Sequence, residues 1–404
     1  MRPVPALCVL FVLLSIPGAA TTVPTATDQP AGSIQQPMQR NLVAETAMLG
    51  LDGDRRSTFV SPSLDVTTAV SIQRTQTVAA LETRSLQAEM HASDNRQASR
   101  ELLLRSLTRI ELQISDMLEA ELAARQAYTT RSISTTTYIN RLVEIQTEAE
   151  RLQTQLTAVR NQADEIPRFT VRSRVNRLES LLVGFQGPVR TQLRIALNGA
   201  SDPSDRIYLE SSADGLVLSI LLNNEHIREA HRLDRRDLEG GAAIGVNGAI
   251  DHAEQRYNDS SLTGITGIGG DAYQITAQTS SGRLVAYLDG VSERIFFELQ
   301  YRRLTAYRPD SIVSKTENGV TLTVNRTFAG GPLRIDVREI DGDPVTATIR
   351  LGGRSIGETT DGQLWTLAPR GGGQITAVTD TGNVSIRFRP VELQSNNETA
   401  TASG

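Results

Sequence analysis

Between Tyr138 and Ala163 the apolar residues Tyr138, Leu142, Ile145, Ala149, Leu152, Leu156, Val159 and Ala163 recur at alternating steps of four and three. That spacing is the seam of a left-handed coiled coil and commits the stretch to a long amphipathic helix. Leu103, Leu107, Ile110, Ile114 and Met117 keep the same spacing upstream, and the polar segment Thr129–Ser134 lies between the two. Two matching seams joined by a turn predict an antiparallel hairpin that packs on itself rather than a zipper between chains. Only Tyr128 and Tyr138 are aromatic between residues 61 and 166, so the packing there must rest on aliphatic layers.

Flanking signals extend this helical region. A helix is expected over about Thr67–Met90, a second from about Asn95 to Tyr128, and a third capped by Ser134 and ending near Pro167. A fourth, about Arg172–Leu197, is interrupted by Gly184, Gly187 and Pro188, with Pro188 suited to the first position of a restarted helix. From Arg206 the apolar period shortens to two. Ile207–Ser211 and Leu216–Leu222 flank Ala213-Asp214-Gly215 as a hairpin, and Ile227–His231 reads as a third short strand. A helix over about Val246–Tyr257 precedes extended runs at Ala272–Thr279, Arg283–Asp289 and Arg294–Arg302. Residues 319–391 carry short strands with turns at Asp341–Pro344, Gly352-Gly353 and Asp361-Gly362, the rhythm of a β-sandwich.

The expected fold is therefore multidomain: a helical hairpin or bundle over 42–200, an α+β antiparallel sheet with a helix over 201–305, and an all-β sandwich over 319–391. Residues 1–20 read as a secretion signal. Arg2 supplies the charge, Leu7–Leu14 the apolar core, and Gly18-Ala19-Ala20 the small residues for cleavage. Cleavage would remove Cys8, the only cysteine, and with it disulfide, thiolate-metal and cysteine-nucleophile chemistry. A Thr/Pro/Gln-rich linker over 21–41 and a polar tail over 392–404 are expected to be disordered. With no later run apolar enough to span a bilayer, the mature chain is expected in the medium or at the cell envelope.

The formal charge is −5 over 404 residues, with acids and bases interspersed and no basic cluster, so nucleic acid is not an expected partner. Lys315 is the sole lysine among 41 basic residues, a bias compatible with a GC-rich genome or a high-salt habitat. Asp52-Gly53-Asp54 reads as a turn rather than a calcium loop. The four histidines, His91, His226, His231 and His252, have no nucleophile elbow or zinc-type spacing around them, so no catalytic residue, metal or cofactor is expected. Gly264–Gly270 lacks the Lys-Ser/Thr of a phosphate loop and reads as a flexible loop. Trp365, the only tryptophan, is expected in the sandwich core rather than as a sugar-stacking platform. Asn258, Asn325, Asn383 and Asn397 are N-x-Ser/Thr sequons and candidate glycosylation sites.

Three resemblances accompany this reading. The helix with Ala249 and Ala253, then Tyr273–Thr276, Leu284–Asp289 and Ile295-Phe296, resembles the secreted PepSY module, although Gly290-Val291 stands where that module carries Thr-Gly. This resemblance implies a regulator of an extracellular protease. Pro332–Phe388 is similar to the transthyretin-like regulatory sandwich, through Asp341–Val345 and Gly357–Gly362. The order of parts, with Leu364–Gly371 in the sandwich, resembles secreted haloarchaeal proteins with no assigned activity. Taken with the residues, the expected function is a non-enzymatic secreted or envelope protein in protein interaction or surface scaffolding, its partner an unidentified protein. The alternative is the protease regulator.

Overall fold

The capping signals start the helices. The computed structural model describes residues 48–93, 95–200, 206–238 and 241–391; the expected signal, linker and tail, and Asn397, lie outside them. Asp65 caps α1 (Val66–His91) by accepting from the Thr68 backbone N–H, Asn95 caps α2 (Arg96–Thr129), and Ser134 caps α3 (Thr135–Asp164). α2 and α3 pack along the predicted seams: Leu103, Leu107, Ile110 and Ile114 meet Ile145, Ala149, Leu152 and Leu156 in one buried cluster. The region's two aromatics stack on each other beside the turn, with ring centroids 4.4 Å apart and planes 7° from parallel. Arg56 lies 4.0 Å above the Tyr128 ring and donates to the Tyr128 carbonyl, sealing that end. α4 (Arg172–Leu182) passes through a short 3-10 turn into α5 (Pro188–Leu197), the predicted restart at Pro188.

The helices cover one face of a large antiparallel sheet. Its strands are β1 (Arg56–Val60), β2 (Ile207–Ser211), β3 (Leu216–Leu222), β4 (Glu225–His231), β5 (Ser261–Gly269), β6 (Ala272–Gln278), β7 (Gly282–Asp289) and β8 (Arg294–Arg303). They lie in the order β1-β2-β3-β4-β8-β7-β6-β5. β1 comes from before the first helix, so the chain returns to the same sheet only after α1 to α5. Tyr138, Leu142, Val189 and Leu193 share a single buried cluster with Ile207, Leu209, Leu216 and Leu218. The helical segment and the sheet thus bury each other's apolar faces across residue 201. α6 (Val246–Arg256) lies on the opposite face, burying Ala249 and Ala253 against Ile275, Ala286 and Leu288.

One segment departs from expectation. The sequence predicts a loop over Gly264–Gly270, yet all of it but Gly270 lies in the edge strand β5, paired along β6. The register shifts at Leu262/Gly264 and at Gly267/Gly269. Each bulge adds a residue, so Leu262, Ile265 and Ile268 fall three apart in sequence while all are half-buried. The alternation that announces a strand is erased by its irregularities.

The C-terminal sandwich has two four-stranded sheets. β9 (Ser311–Glu317), β10 (Val320–Arg326), β11 (Pro332–Glu339) and β14 (Gln363–Leu367) form one; β12 (Thr348–Leu351), β13 (Arg354–Glu358), β15 (Gly373–Thr379) and β16 (Gly382–Phe388) form the other. Leu322, Val324, Leu333, Ile335, Ile349, Ile375, Val384 and Ile386 fill the space between them. The observed architecture is helices, then an antiparallel sheet with a helix, then a sandwich, as the sequence predicts.

A buried carboxylate joins helices to sheet. Glu229 on β4 accepts the Val189 backbone N–H (3.1 Å) at the start of α5, where Gly187 has no side chain with which to cap. The same carboxylate pairs with the fully buried Arg190 (3.0 Å) and accepts from His231 Nε2 (2.9 Å). A Cβ on Gly187 would overlap this carboxylate. Gly187→Ala is therefore expected to displace Glu229 from Arg190, His231 and the Val189 N–H and lose about 3 kcal/mol, while Gly267→Ala, into open space, changes stability by no more than about 0.5 kcal/mol. Urea unfolding of both variants measures the contrast.

Candidate functional site

The histidines do not converge. His226 and His231 are five residues apart on β4 and point to opposite faces of the sheet. His226 Nε2 donates to the Gly330 carbonyl of the sandwich (3.1 Å), whereas His231 donates to Glu229 beneath the helices. His252 is half-buried on α6 and His91 is exposed at the end of α1. Among the described residues, no group of three or more His, Cys, Asp or Glu side chains is placed to hold a metal ion. Burial holds His226 down to about 3 and His231 down to about 4, so both are neutral at neutral pH. The Glu229 carboxyl stays below its ordinary value in spite of burial, because His231 and Arg190 stabilise its charge.

Two cavities stand out. One of about 260 Å³ opens between α1, α2 and α3, with Leu86, Ile110 and Val159 at its base and Glu82, Arg105 and Arg109 on its walls. Glu82 is tied down by Arg151 (2.5 Å) and Gln155, so this acid of the wall helps to hold α1 against α3. The other, of about 200 Å³, lies on the outer face of the sandwich sheet that carries β9 and β14, and four of its residues share one register row.

Cross-strand pairing sets Ile312 of β9 opposite Asn325 of β10, Asn325 opposite Arg334 of β11, and Arg334 opposite Trp365 of β14. These four form one row across the whole sheet, facing away from the core. The adjacent row is Ser314, Thr323, Asp336 and Gln363, polar throughout. Tyr307 and Pro309, from the connection out of the large sheet, and Thr327 and Pro332 complete the cavity. Arg334 lies with its guanidinium carbon 5.9 Å from the centre of the indole. Its Nε donates to Asp336 Oδ2 (2.9 Å), and Asn325 Nδ2 donates to the same oxygen (2.6 Å). Asn325 and Asp336 are each only 7% exposed, so this polar floor is fixed before any ligand arrives.

This corrects the expectation for Trp365. The indole is half-buried on the outer face, while its neighbours Leu364 and Thr366 turn inward. Leu364-Trp365-Thr366-Leu367 has an apolar residue at three of four positions, so alternation alone could not choose a face. The cleaner strand Leu333–Val337 places Arg334 and Asp336 outward without ambiguity, and the register then carries Trp365 with them. Of the sequons, Asn258 is exposed in the turn after α6 and Asn383 is exposed on β16. Asn325 is the buried member of the cavity row.

Comparison with known protein families follows the same divisions. The model of a domain of unknown function (DUF7096) matches residues 1–202, half of the chain, and the chain belongs to that family. A further family of unknown function (DUF7094) matches residues 207–308, where a PepSY-like module was expected. An archaeal fibronectin-III type-like domain matches residues 311–386, where a transthyretin-like sandwich was expected. The protein is thus an archaeal chain built on domains of unknown function with a fibronectin-III type-like end. No curated protein and no solved structure matches it. Among the described residues, no helix is long and apolar enough to cross a membrane.

The two histidines give a signed pH dependence. Their folded values lie below the unfolded value near 6.5, so below that pH the unfolded chain binds more protons than the folded one. Stability is complete above about 6.5 and falls as the pH drops toward 4, by about 1.4 kcal/mol per pH unit for each histidine. Melting temperature recorded from pH 8 to 4 should show this loss, with a shallower acid slope in His231→Gln.

Proposed function

We propose that this protein is an exported, non-enzymatic surface protein whose sandwich makes the functional contact. The observation that carries this reading is the half-buried Trp365, set beside Arg334 on the outer face of a fibronectin-III type-like domain. A binding residue on an exposed face of a rigid scaffold fits an interaction role. No catalytic constellation is offered by the histidines, two of which are buried and neutral. The sequence signal at Arg2–Ala20 supports export, and the near-absence of lysine with a net negative charge suits a haloarchaeal surface. In this reading the helices and large sheet form the body that holds the sandwich outward, in the medium or at the cell envelope.

Glycosylation in this setting would select among the sequons. Asn258 and Asn383 present exposed side chains, whereas Asn325 donates to Asp336 beneath the surface of the sheet. Fractionation of the native cells, followed by mass mapping, tests both points. The expected result is a chain outside the cytoplasm that begins shortly after Ala20, with glycan at Asn258 or Asn383 and none at Asn325. A cytoplasmic chain with its N-terminal segment intact would overturn the export reading.

A further inference from the structure

We infer that the Trp365 cavity binds a single pyranose ring of a carbohydrate; this rests on the surface-contact reading and names its ligand class. A pyranose has one apolar C–H face and a rim of hydroxyl groups. It needs an exposed aromatic face beside fixed hydrogen-bonding groups. Trp365 supplies the aromatic face, half-exposed and directly beside Arg334 in the sheet register.

The rim is met by groups already held in place. Arg334 spends its Nε on Asp336 and is 40% exposed, which leaves the terminal N–H groups of its guanidinium to donate to a hydroxyl. Asn325 uses its Nδ2 on Asp336, and its Oδ1 accepts no hydrogen bond from the described residues, so it can take a hydroxyl proton. One acceptor oxygen, Asp336 Oδ2, thereby aligns both groups. The Arg334–Asp336 pair is neutral overall, which favours an uncharged ligand over a phosphate.

Size and shape agree with one ring. The cavity of about 200 Å³ is below the ~300–1,000 Å³ usual for drug-sized ligands. The Arg334 guanidinium carbon lies 5.9 Å from the indole centre, so the charged head and the ring border the same small area of the sheet. A proline-rich peptide would dock on a groove with several aromatic walls. Here Tyr307 is 9% exposed and turned toward His226 and Arg302, so Trp365 alone offers an open aromatic face.

The chain contains one tryptophan, so tryptophan emission, excited where tyrosine does not absorb, reports on this cavity alone. The full-length protein is titrated with maltotetraose, cellotetraose, chitotetraose and a decaproline peptide. The expected result is a saturable emission change with at least one oligosaccharide, weakened roughly tenfold in Arg334→Ala. Calorimetry with the same sugar should lose the signal in Trp365→Ala and retain part of it in Trp365→Phe, at unchanged melting temperatures. Absence of saturation by every sugar up to about 50 mM would overturn the assignment, as would an unchanged affinity in Arg334→Ala. Saturation by decaproline alone would overturn the sugar and leave a surface contact at Trp365 standing. A cytoplasmic location for the chain would instead remove the reading beneath both.

Discussion

The carboxylate of Glu229 is the point at which helices and sheet become one body. Removing a carboxylate from water is expensive, and the protein meets that cost with a helix N-terminus, a guanidinium and an imidazole. The other face of the same strand repeats the device. Arg228 reaches Glu298 (3.5 Å) and the Leu49 carbonyl (2.6 Å), while Glu298 accepts from the Leu49 N–H (3.1 Å) and the Tyr257 hydroxyl (3.0 Å). His226 then fastens the sandwich through Gly330. β4 therefore touches the helices, the segment before β1 and the sandwich, each through a polar side chain with a defined partner, while α6 is reached through Glu298 of the neighbouring β8. An apolar strand would bury more cheaply, but it would not dictate which element lands on which face.

That choice explains what the sequence concealed. Glu-His-Ile-Arg-Glu-Ala-His has the composition of an exposed edge, yet it is the fourth of eight strands and buried on both sides. Its polar side chains are satisfied by residues as distant as Leu49 and Gly330, and no local pattern can announce such partners. The heptad is the opposite case. Tyr138–Ala163 and Leu103–Met117 are legible because their partners lie on the neighbouring helix and the spacing itself specifies the contact. The Tyr128–Tyr138 stack falls between the two: both residues could be seen, but only the turn geometry puts their rings 4.4 Å apart.

In the sandwich, the same limit separates strands from site. Alternation located most strands, and the sheet pairing then shows Arg334 and Asp336 on the outer face. The row Ile312–Asn325–Arg334–Trp365 needs three register relations at once, so its members stay scattered along 54 residues of chain until the sheet is built. β9 and β13 also escaped notice, the first an edge strand with Lys315 turned into solvent, the second only five residues long.

Family boundaries and physical boundaries differ in a way that bears on where function can reside. The family models part at 202/207, yet the elements on either side share a buried cluster that neither could close alone. At 308/311 the situation reverses. The sandwich has a core of its own, and it meets the large sheet through polar contacts such as Arg370 with Glu210 and His226 with Gly330. Substitutions in the first pair of segments therefore propagate through common packing, whereas the outer row of the sandwich can vary without disturbing either core. A face with that freedom, fixed from beneath by Asp336 and open above at Trp365, is where a binding specificity can change while the fold does not.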